Sequence, residues 1–597
     1  MSEDKIQIMR HSCAHLVAAA VQELYPEAKF GVGPVVENGF YYDIDFPKTI
    51  SETDLAKIEA RAMGLAKKGV GFEREEMPLA EAIKFFKKIG QVYKVELLND
   101  LKKKGTTKVK DENSKGLSDS VDTVSLYRTG EFVDLCRGPH LKSAKDIGVF
   151  KLTKLAGAYW RGNEKNKMLT RIYGVDFETK AELDNYLKMQ EEAEKRDHRK
   201  LGKELGLFVF SDLVGPGLPL YTFKGALIRR EIINFTNELQ KGIGYQEVHT
   251  PNMNKAELFK ISGHYDKYKD GMFRVVSNYT EEEYFLKPMN CPHHTQIYAS
   301  QMHSYKDLPV RIADFANLYR DEKPGELSGL TRLRCFAQDD GHCFCREDQI
   351  KEEFLNILKI IKICLDTYKM NYKIRLSLWD PEHQEKYLGE PAVWEKSQKL
   401  LKEILKENKI EHSIGIGEAA IYGPKMDLIS TDSLGREWQI STIQIDFIMP
   451  QRFQLSYIDA DGKEKTPVMI HRAIIGSPER FLGILIEHYA GAFPTWLSPV
   501  QVMLIPVSEN HADGAEKISE ELKKLGVRVS LDAANETLGN RVRKAVGQKV
   551  PYIVVVGDKE IAGEDWMIRV RGVEKQEKMS KEAFLKRLKK EIDEKLA

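Results

Sequence analysis

The sequence predicts an α+β protein of several domains, with an antiparallel sheet at its core and a small α/β domain near the carboxyl end. The 597 residues exceed what one hydrophobic core normally supports. Between residues 207 and 497, strand patterns follow one another across turns with irregularly inserted helices, which is typical of an antiparallel sheet. From residue 498 onward, apolar strands alternate with amphipathic helices, which favours a largely parallel sheet.

Domain boundaries are predicted where these patterns change. Residues 1–177 combine an amphipathic helix, aromatic strands punctuated by glycine and a second β-rich block, so we expect an α+β domain there. Residues 178–206 are highly charged with helical periodicity, which indicates an exposed linker helix. Two further domains, 207–497 and 498–597, complete the expected division.

Composition narrows the cellular setting. Hydrophobic residues make up 42% and charged residues 30%, and no apolar run is long enough to cross a bilayer. The first ten residues have no apolar segment typical of a secretory signal, and seven irregularly spaced cysteines do not resemble a disulfide framework. We therefore expect a cytoplasmic protein that does not bind membranes. The net charge of +1 neither favours nor excludes a polyanionic partner.

The stretch KPMNCPHHTQ raises the question of a metal site, because Cys291 precedes His293 and His294 and zinc prefers thiolate and imidazole ligands. No second ligand pair follows closely enough to complete a zinc finger, so any partners must come from far along the chain. His342 in RCFAQDDGHCFC and His471 in VMIHRAIIGSPERF are candidates by context, although a lone strand histidine is more often a core residue.

In the same region, several arginines lie among apolar residues, where a charged side chain carries a free-energy cost. Arg320 precedes a loop in NLYRDEKPGELSGLTRLRCF, Arg332 and Arg334 follow it, and Arg480 begins an apolar helix. A guanidinium group in such a place is costly unless it faces an anion, and its planar fork suits phosphate. A triphosphate fits this requirement.

The stretches YRDEKPGELSGLTRLRCFAQDD and GSPERFLGILIEHYAG resemble motifs 2 and 3 of class II aminoacyl-tRNA synthetases, and with MNCPHH the chain is similar to the threonyl-tRNA synthetase family. The resemblance implies the class II antiparallel sheet for the core, an amino-terminal editing domain and a carboxy-terminal anticodon-binding domain. It also implies a homodimer formed through motif 1 of the class, the helix ALIRREIINFTNELQKGIGYQEVHTP, which ends at Pro251. We expect a form without the ubiquitin-like domain with which many family members begin.

The implied activity is that of a threonine–tRNA ligase. Threonine and ATP, with Mg²⁺, would give threonyl-adenylate, from which threonine passes to the 3′ end of tRNA(Thr). The resemblance places the ligands of one zinc ion per subunit at Cys291, His342 and His471, so that His293 and His294 are not ligands. A pocket of apolar residues separates threonine from valine only weakly, whereas a zinc ion with an open position can bind the amino group and hydroxyl of threonine together.

Further contacts follow from the same resemblance. Threonine contacts are implied at Asp340, Gln338, Tyr422 and Gln444, and ATP contacts at Arg320, Glu322, Arg332, Arg480 and Lys425. Fixed arginines would stabilise the charge that builds on the phosphate oxygens, which gives Arg320 and Arg480 a catalytic role. His264 in SGHYDKY is implied to assist deprotonation of the terminal adenosine hydroxyl, the alternative being an exposed loop histidine.

Discrimination against serine is expected to require a second active site. Serine differs from threonine by one methyl group, and the binding free energy of one methyl group is roughly 1 to 3 kcal/mol, too little for accurate selection. His11 and His15 lie one helical turn apart, and Cys136 and His140 lie in DLCRGPHL. In the resembling family these four residues, with Asp134, line the pocket that hydrolyses seryl-tRNA. Without the family, two histidines, a cysteine and a histidine also make a plausible zinc site, and that alternative stays open.

The carboxy-terminal domain resembles the anticodon-binding module of several synthetases. Anticodon bases would be recognised near Asn535, Glu536, Arg541 and Arg543, whose polar groups suit base edges.

Two other functions deserve comparison with a threonine–tRNA ligase. A prolyl-tRNA synthetase would share this module, but the HSCAH block and the set Cys291, His342 and His471 argue against it. A non-catalytic RNA-binding relative should have lost the phosphate arginines, which are present.

Overall fold

The structure is a computed structural model that describes residues 3–104, 122–533, 535–563 and 565–596. The chain divides into two compact units, Met1–Glu191 and Glu192–Ala597. In the described part of the chain, no helix is both long and apolar enough to span a membrane. The expected division into four domains is finer than these two units and stays a prediction.

The first unit begins with a buried helix and contains two sheets. Its helices and strands are α1 (Glu3–Leu24), β1 (Lys29–Phe30), β2 (Val35–Val36), β3 (Gly39–Asp45), α2 (Glu52–Lys68), β4 (Glu73–Pro78), α3 (Leu79–Lys88), α4 (Val92–Lys104), β5 (Thr123–Thr129), β6 (Phe132–Leu135), β7 (Val149–Tyr159), β8 (Met168–Phe177) and α5 (Lys180–Arg196), which crosses the boundary between the units.

Helix α1 packs against the larger sheet of this unit. Its residues Cys13, Leu16, Val17 and Ala20 are fully buried, which is the apolar face that the sequence pattern predicts. The larger sheet has the order β1-β3-β8-β7, with β2 paired to β3, and all its pairs are antiparallel. Strands β4, β5 and β6 form the second sheet. The expected α+β architecture is confirmed.

Asp176 is a buried carboxylate near the end of β8. It is 0% exposed, neither carboxylate oxygen has a hydrogen-bond partner among the described residues, and burial raises its pKa from 3.8 to about 7 despite the attraction of Arg10. Since the folded-state pKa lies above the ordinary value, the folded unit binds this proton more tightly than the unfolded chain does. Stability should therefore fall as the pH rises from about 4 to about 7.

We expect Asp176→Asn to raise the thermal unfolding midpoint of the first unit at pH 8 and to change it little at pH 4. The amide removes a buried charge that exists mainly above pH 7, and each pKa unit corresponds to about 1.4 kcal/mol. Calorimetry of the full chain at both pH values measures the shift. Asp184→Asn, at an exposed site on α5, is the matched control. An equal shift at both pH values would show that the charge of Asp176 is not the cause.

The second unit holds a large sheet and a carboxy-terminal α/β region. Its elements are α6 (His198–Glu204), β9 (Phe208–Val209), β10 (Leu220–Tyr221), α7 (Phe223–Gly242), β11 (Gln246–Glu247), β12 (Met253–Lys255), α8 (Ala256–Ser262), α9 (His264–Tyr268), β13 (Arg274–Val275), β14 (Tyr284–Leu286), α10 (Cys291–Ala299), β15 (Val310–Tyr319), β16 (Cys335–Cys345), α11 (Ile350–Thr367), β17 (Asn371–Leu378), α12 (Pro391–Glu407), β18 (Ser413–Ile416), β19 (Lys425–Thr431), β20 (Glu437–Asp446), α13 (Met449–Arg452), β21 (Tyr457–Ile458), β22 (Glu464–Lys465), β23 (Val468–Ala473), α14 (Pro478–His488), β24 (Val502–Pro506), α15 (Ala512–Lys524), β25 (Val529–Leu531), α16 (Leu538–Gly547), β26 (Tyr552–Val556), α17 (Asp558–Ala562), β27 (Trp566–Val570), β28 (Glu577–Met579) and α18 (Lys581–Asp593).

The large sheet has eight strands in the order β11-β15-β16-β23-β20-β19-β17-β18. Its six long strands pair antiparallel, and only the short edge strands β11 and β18 pair parallel with their neighbours. Helices α11 and α14 pack on this sheet, α7 packs against both of these helices, and all three contribute to one apolar core. The predicted antiparallel core is confirmed.

The charged linker forms two helices where one was predicted. Helix α5 ends at Arg196, and α6 starts at His198 after a break at Asp197, whose side chain accepts a hydrogen bond from the backbone N–H of Arg199. An aspartate that caps a new helix interrupts the preceding one. The linker therefore consists of two helices that are separated at Asp197.

The carboxy-terminal sheet has the order β25-β24-β26-β27-β28. Strands β25, β24 and β26 are parallel, as the alternating pattern predicts, whereas β27 and β28 add antiparallel pairs. The sheet is thus mixed.

Candidate active sites

The strand register brings distant residues into one row across the large sheet. His342 on β16 lies directly opposite His471 on β23, although 129 positions separate them. His471 lies opposite Gln444 on β20, and Gln444 opposite Lys425 on β19. Asp340 shares the face of His342 because side chains alternate along a strand. Five predicted site residues therefore share one face of the sheet.

Each imidazole of the pair faces the other with one nitrogen and is held by a neighbour at its second nitrogen. His342 Nε2 and His471 Nδ1 are 3.0 Å apart. His471 Nε2 lies 2.9 Å from Asp446 Oδ2, and His342 Nδ1 lies 2.7 Å from His294 Nδ1. Outer hydrogen bonds of this kind orient metal-binding imidazoles. Asp446 was not among the predicted site residues, although a carboxylate in the apolar strand STIQIDF is a signal of such a role.

The predicted donor set suits zinc. Cys291 is the first residue of α10 and is 5% exposed, and one cysteine with two histidines is a donor set of catalytic zinc with an open position. Burial raises the pKa of the Cys291 thiol, so metal binding has to displace its proton. The ligand atoms of Cys291, His342 and His471 do not all lie within 4.8 Å of one another.

Two arginines line one cavity and form no ion pair with a carboxylate in the part of the chain that the structure describes. The cavity has a volume of about 550 Å³ and is lined by Arg320, Arg332 and Arg480, among others. The Arg320 guanidinium lies 5.1 Å from the Phe336 ring centroid, and that of Arg480 lies 5.5 Å from the Trp438 ring centroid. Among the described residues, neither Arg320 nor Arg480 forms an ion pair with a carboxylate. Such a cavity suits an anion.

Arg332 and Lys425 differ from these two arginines because each already has an acidic partner. Arg332 Nε donates to Glu322 Oε2 at 3.0 Å, and its Nη2 pairs with Glu326 at 2.9 Å. Lys425 Nζ lies 2.9 Å from the buried carboxylate of Asp427. A phosphate would have to compete with these carboxylates. Glu322, the expected adenine contact, lines the arginine cavity as well as a second cavity of about 690 Å³.

The expected threonine contacts surround the histidine pair. The Tyr422 ring stacks on His471 with centroids 4.4 Å apart, and its hydroxyl donates to Gln444 Oε1 at 2.7 Å. Asp340 Oδ1 lies 3.8 Å from His342 Nε2, and burial raises the pKa of Asp340 to about 7. The residues implied to contact threonine thus reach from the histidine pair to the arginine cavity, and they are Asp340, Gln338, Tyr422 and Gln444.

His264 begins the short helix α9 and is fully buried. Its Nδ1 lies 2.8 Å from Ser262 Oγ, its Nε2 has no hydrogen-bond partner within the described ranges, and burial lowers its pKa to about 3. The alternative of an exposed loop histidine is therefore wrong. At neutral pH the ring is uncharged and has one free nitrogen.

In the first unit, four predicted residues converge. Cys136 Sγ lies 3.3 Å from His11 Nε2 and 3.3 Å from His140 Nε2. The ring centroids of His15 and His140 are 4.2 Å apart. The ligand atoms of His11, His15, Cys136 and His140 all lie within 4.8 Å of one another and could hold a metal ion, so the zinc alternative for this pocket stays open.

Two buried side chains of opposite charge lie at this pocket, Asp134, which is 3% exposed, and Lys94, which is 2% exposed. Asp134 forms an ion pair with Lys94, accepts a hydrogen bond from Tyr42 and lies 3.5 Å from His15 Nε2. Neither Lys94 nor Tyr42 was among the predicted site residues. Lysine on a charged helix and tyrosine in an alternating strand usually have ordinary surface or core roles, so neither carried a signal.

Burial sets the protonation of the pocket. It lowers the pKa of His140 to about 2 and raises that of Cys136 to about 12. Burial also lowers the pKa of His11 and of His15. At neutral pH the pocket therefore offers three neutral imidazoles and a neutral thiol, which suit the orientation of water better than thiolate attack.

The expected anticodon contacts lie around the start of α16. Asn535, Glu536 and Arg543 are exposed. Arg541 is buried, and its guanidinium donates to the backbone oxygens of Pro506, at 2.8 Å, and of Asp532. Arg541 thus supports the fold beside the three exposed side chains.

Comparison with known proteins agrees with this architecture. Residues 273–489 match the tRNA synthetase class II core domain (G, H, P, S and T), and residues 501–591 match an anticodon binding domain. Residues 124–173 match the threonyl and alanyl tRNA synthetase second additional domain. The fold and its arginine-lined site are those of a class II aminoacyl-tRNA synthetase.

Comparison with individual relatives identifies the family within this class. The threonine–tRNA ligases of Thermotoga neapolitana and Anoxybacillus flavithermus are each 46% identical, over 98% and 99% of this chain and 88% and 89% of theirs. The crystal structure of the RNA binding domain of threonyl-tRNA synthetase from Cryptosporidium parvum is 35% identical, with a TM-score of 0.63, over 66% of this chain and 98% of that one. The chain belongs to the threonine–tRNA ligase family.

Proposed function

We propose that this chain charges tRNA(Thr) with threonine in two steps and hydrolyses seryl-tRNA(Thr) in its amino-terminal unit. One observation carries the charging activity: the histidine pair, its polar neighbours and the arginine cavity meet on one sheet of the class II core. A site for a small amino acid thereby adjoins a site for a polyphosphate.

In the first step, the threonine carboxylate attacks the α-phosphorus of ATP and pyrophosphate leaves. Arg320 would stabilise the negative charge on the α-phosphate oxygens, and Arg332 and Arg480 would hold the outer phosphates with Mg²⁺. The carboxylate is already ionised, so this step needs no side-chain base. Fixed cations therefore supply most of the catalysis.

Zinc held by Cys291, His342 and His471 would bind the amino group and the hydroxyl of threonine at its open position. Asp446 and His294 would hold the two imidazoles in orientation. Valine has a methyl group in place of the hydroxyl, so it could offer the ion only its amino group and would lose the second of the two contacts. Asp340 would accept hydrogen bonds from the ammonium group, while Gln338, Tyr422 and Gln444 complete the walls.

In the second step, the ribose hydroxyl of the terminal adenosine attacks the threonyl carbonyl, and AMP leaves. His264 would accept the hydroxyl proton at its free Nε2. In the amino-terminal unit, His11, His15, Cys136 and His140 would orient a water molecule for hydrolysis of the seryl ester, with Asp134 fixed by Lys94. Charging and editing would thus use separate groups of side chains.

Amino-acid-dependent exchange of pyrophosphate into ATP tests the charging proposal. We expect strong exchange with threonine, detectable exchange with serine, and exchange near background with valine and proline. Serine retains both groups that bind zinc, whereas valine and proline lack the hydroxyl. Strong exchange with valine would contradict discrimination by zinc, and the absence of exchange with threonine would contradict the proposed activity.

We further propose a cytoplasmic homodimer. All seven cysteines are free thiols, which favours a reducing compartment. The segment that leads into α7 exposes large apolar side chains, including Leu213 at 100% and Phe223 at 98%. Such a patch favours burial against a second copy.

The exposed side chains of Asn535, Glu536 and Arg543 would contact the anticodon loop of tRNA(Thr). We propose four functional domains or segments, which comprise residues 1–177, 178–206, 207–497 and 498–597.

A further inference from the structure

The basic linker KRDHRKLGKELG places a buried histidine inside the second unit. His198 begins α6 and is 4% exposed. Its backbone N–H donates to Glu487 Oε1 at 3.0 Å, and its Nδ1 lies 2.6 Å from the same oxygen. Glu487, near the end of α14, also pairs with Arg436. The start of α6 is therefore attached to the end of α14.

The second ring nitrogen of His198 binds another segment. Its Nε2 accepts a hydrogen bond from the backbone N–H of Leu330 at 2.9 Å. An amide N–H can only donate, so Nε2 is the bare nitrogen and Nδ1 carries the proton that it donates to Glu487. A single neutral ring thus connects the loop 320–334 with α14.

The packing around this ring leaves little freedom. A Cβ atom at Gly329 would lie 2.1 Å from His198 Nε2, and the φ of +46° at Gly329 favours glycine as well. A Cβ atom at Gly483 on α14 would lie 3.2 Å from Leu330 Cβ and 3.6 Å from His198 Cδ2. Leu330 itself is 1% exposed. Ring, loop and helix are therefore in direct contact.

Both segments that His198 joins carry arginines of the cavity. Arg332 follows Leu330 by two residues in the loop, and Arg480 precedes Glu487 by about two turns of α14. We propose that His198 is a positioning residue that sets the separation of Arg332 and Arg480 for the outer phosphates of ATP. The proposal rests on the ATP contacts proposed above. It makes the linker part of the nucleotide site.

The test compares His198→Asn with His198→Gln in the full-length enzyme. Asparagine can still donate to Glu487 but is too short to accept from Leu330, whereas the glutamine oxygen can reach the position of Nε2. For His198→Asn we expect the KM for ATP in pyrophosphate exchange to rise about tenfold, in line with loss of a buried hydrogen bond. The kcat and the KM for threonine should stay within about threefold, and glutamine should restore most of the ATP affinity.

Lys200→Ala is the matched control, since Lys200 is an exposed side chain on the same helix, two residues after His198. It should leave all three constants unchanged. Arg332→Ala serves as the reference for the nucleotide site itself. If Arg332→Ala raises the KM for ATP and His198→Asn does not, the inference is wrong and the nucleotide site stands. If Arg332→Ala has no effect on that KM, its proposed phosphate contact is wrong.

A merely structural role would give a different result. His198→Asn would then lower the thermal unfolding midpoint and kcat while the KM for ATP stayed unchanged, which overturns the proposal. If His198→Asn does not fold, His198→Gln against the wild type decides the question. A rise of about twofold to threefold in the KM for ATP alone would support the positioning role. No rise in that KM would overturn it.

Discussion

A Cys291→Ser variant is expected to bind no stoichiometric zinc and to activate threonine about 10³-fold more slowly than the wild type. The serine hydroxyl stays protonated at neutral pH and replaces a thiolate poorly as a zinc ligand. The two histidines would remain in place, since Asp446 and His294 hold them independently of Cys291. Elemental analysis measures the zinc content, and threonine-dependent pyrophosphate exchange measures activation.

Cys335→Ser is the matched control for this loss. Cys335 is a half-buried thiol at the start of β16, seven positions before His342, and the same change there should leave zinc content and exchange within about twofold. Full activity in Cys291→Ser would contradict the zinc site. A second zinc ion per chain that disappears in Cys136→Ala would show that the amino-terminal pocket also holds metal.

Replacing His11 and Cys136 together by alanine is expected to slow the hydrolysis of preformed seryl-tRNA(Thr) about 100-fold or more. Positioned groups of this kind accelerate a reaction about 10² to 10⁴-fold. The Sγ atom of Cys136 and the Nε2 atom of His11 lie 3.3 Å apart in the pocket. Charging with threonine should proceed at the wild-type rate, because the residues proposed for it lie in the other unit. Deacylation of isolated seryl-tRNA(Thr) measures the first effect.

Cys13→Ala controls for damage to α1. Cys13 lies two residues after His11 and is fully buried in the core, so its loss should cost on the order of 1 kcal/mol of stability. Hydrolysis should persist in that variant. If the double variant deacylates seryl-tRNA(Thr) at the wild-type rate, the pocket has another role.

The fold was predictable where one local pattern dominates a long segment. Alternating strands between 207 and 497 predicted the antiparallel sheet, and the apolar face of α1 predicted its burial. The break at Asp197 was not predicted, because its cap depends on one side chain within a continuous charged helical pattern. The antiparallel pairing of β27 and β28 was not predicted, because the direction of a strand depends on the connection that leads into it.

The candidate site was predictable only through the family resemblance. Residue type and neighbouring motifs made Cys291, His342 and His471 candidates, and the resemblance joined them as one ligand set, but nothing local shows that His342 and His471 are cross-strand neighbours. Asp446, Lys94 and Tyr42 act through other side chains, so their importance depends on packing. Arg541 was expected to meet RNA, yet its guanidinium binds backbone oxygens inside the domain.

The cross-strand opposition of His342 and His471 has a consequence for biogenesis. A slip of one residue between β16 and β23 would turn one imidazole to the opposite side of the sheet. The facing nitrogens of His342 and His471 can therefore bind one ion together only after these strands have paired in their native register. Metal loading would therefore follow sheet formation during maturation, and an unloaded chain should already possess its complete β-architecture.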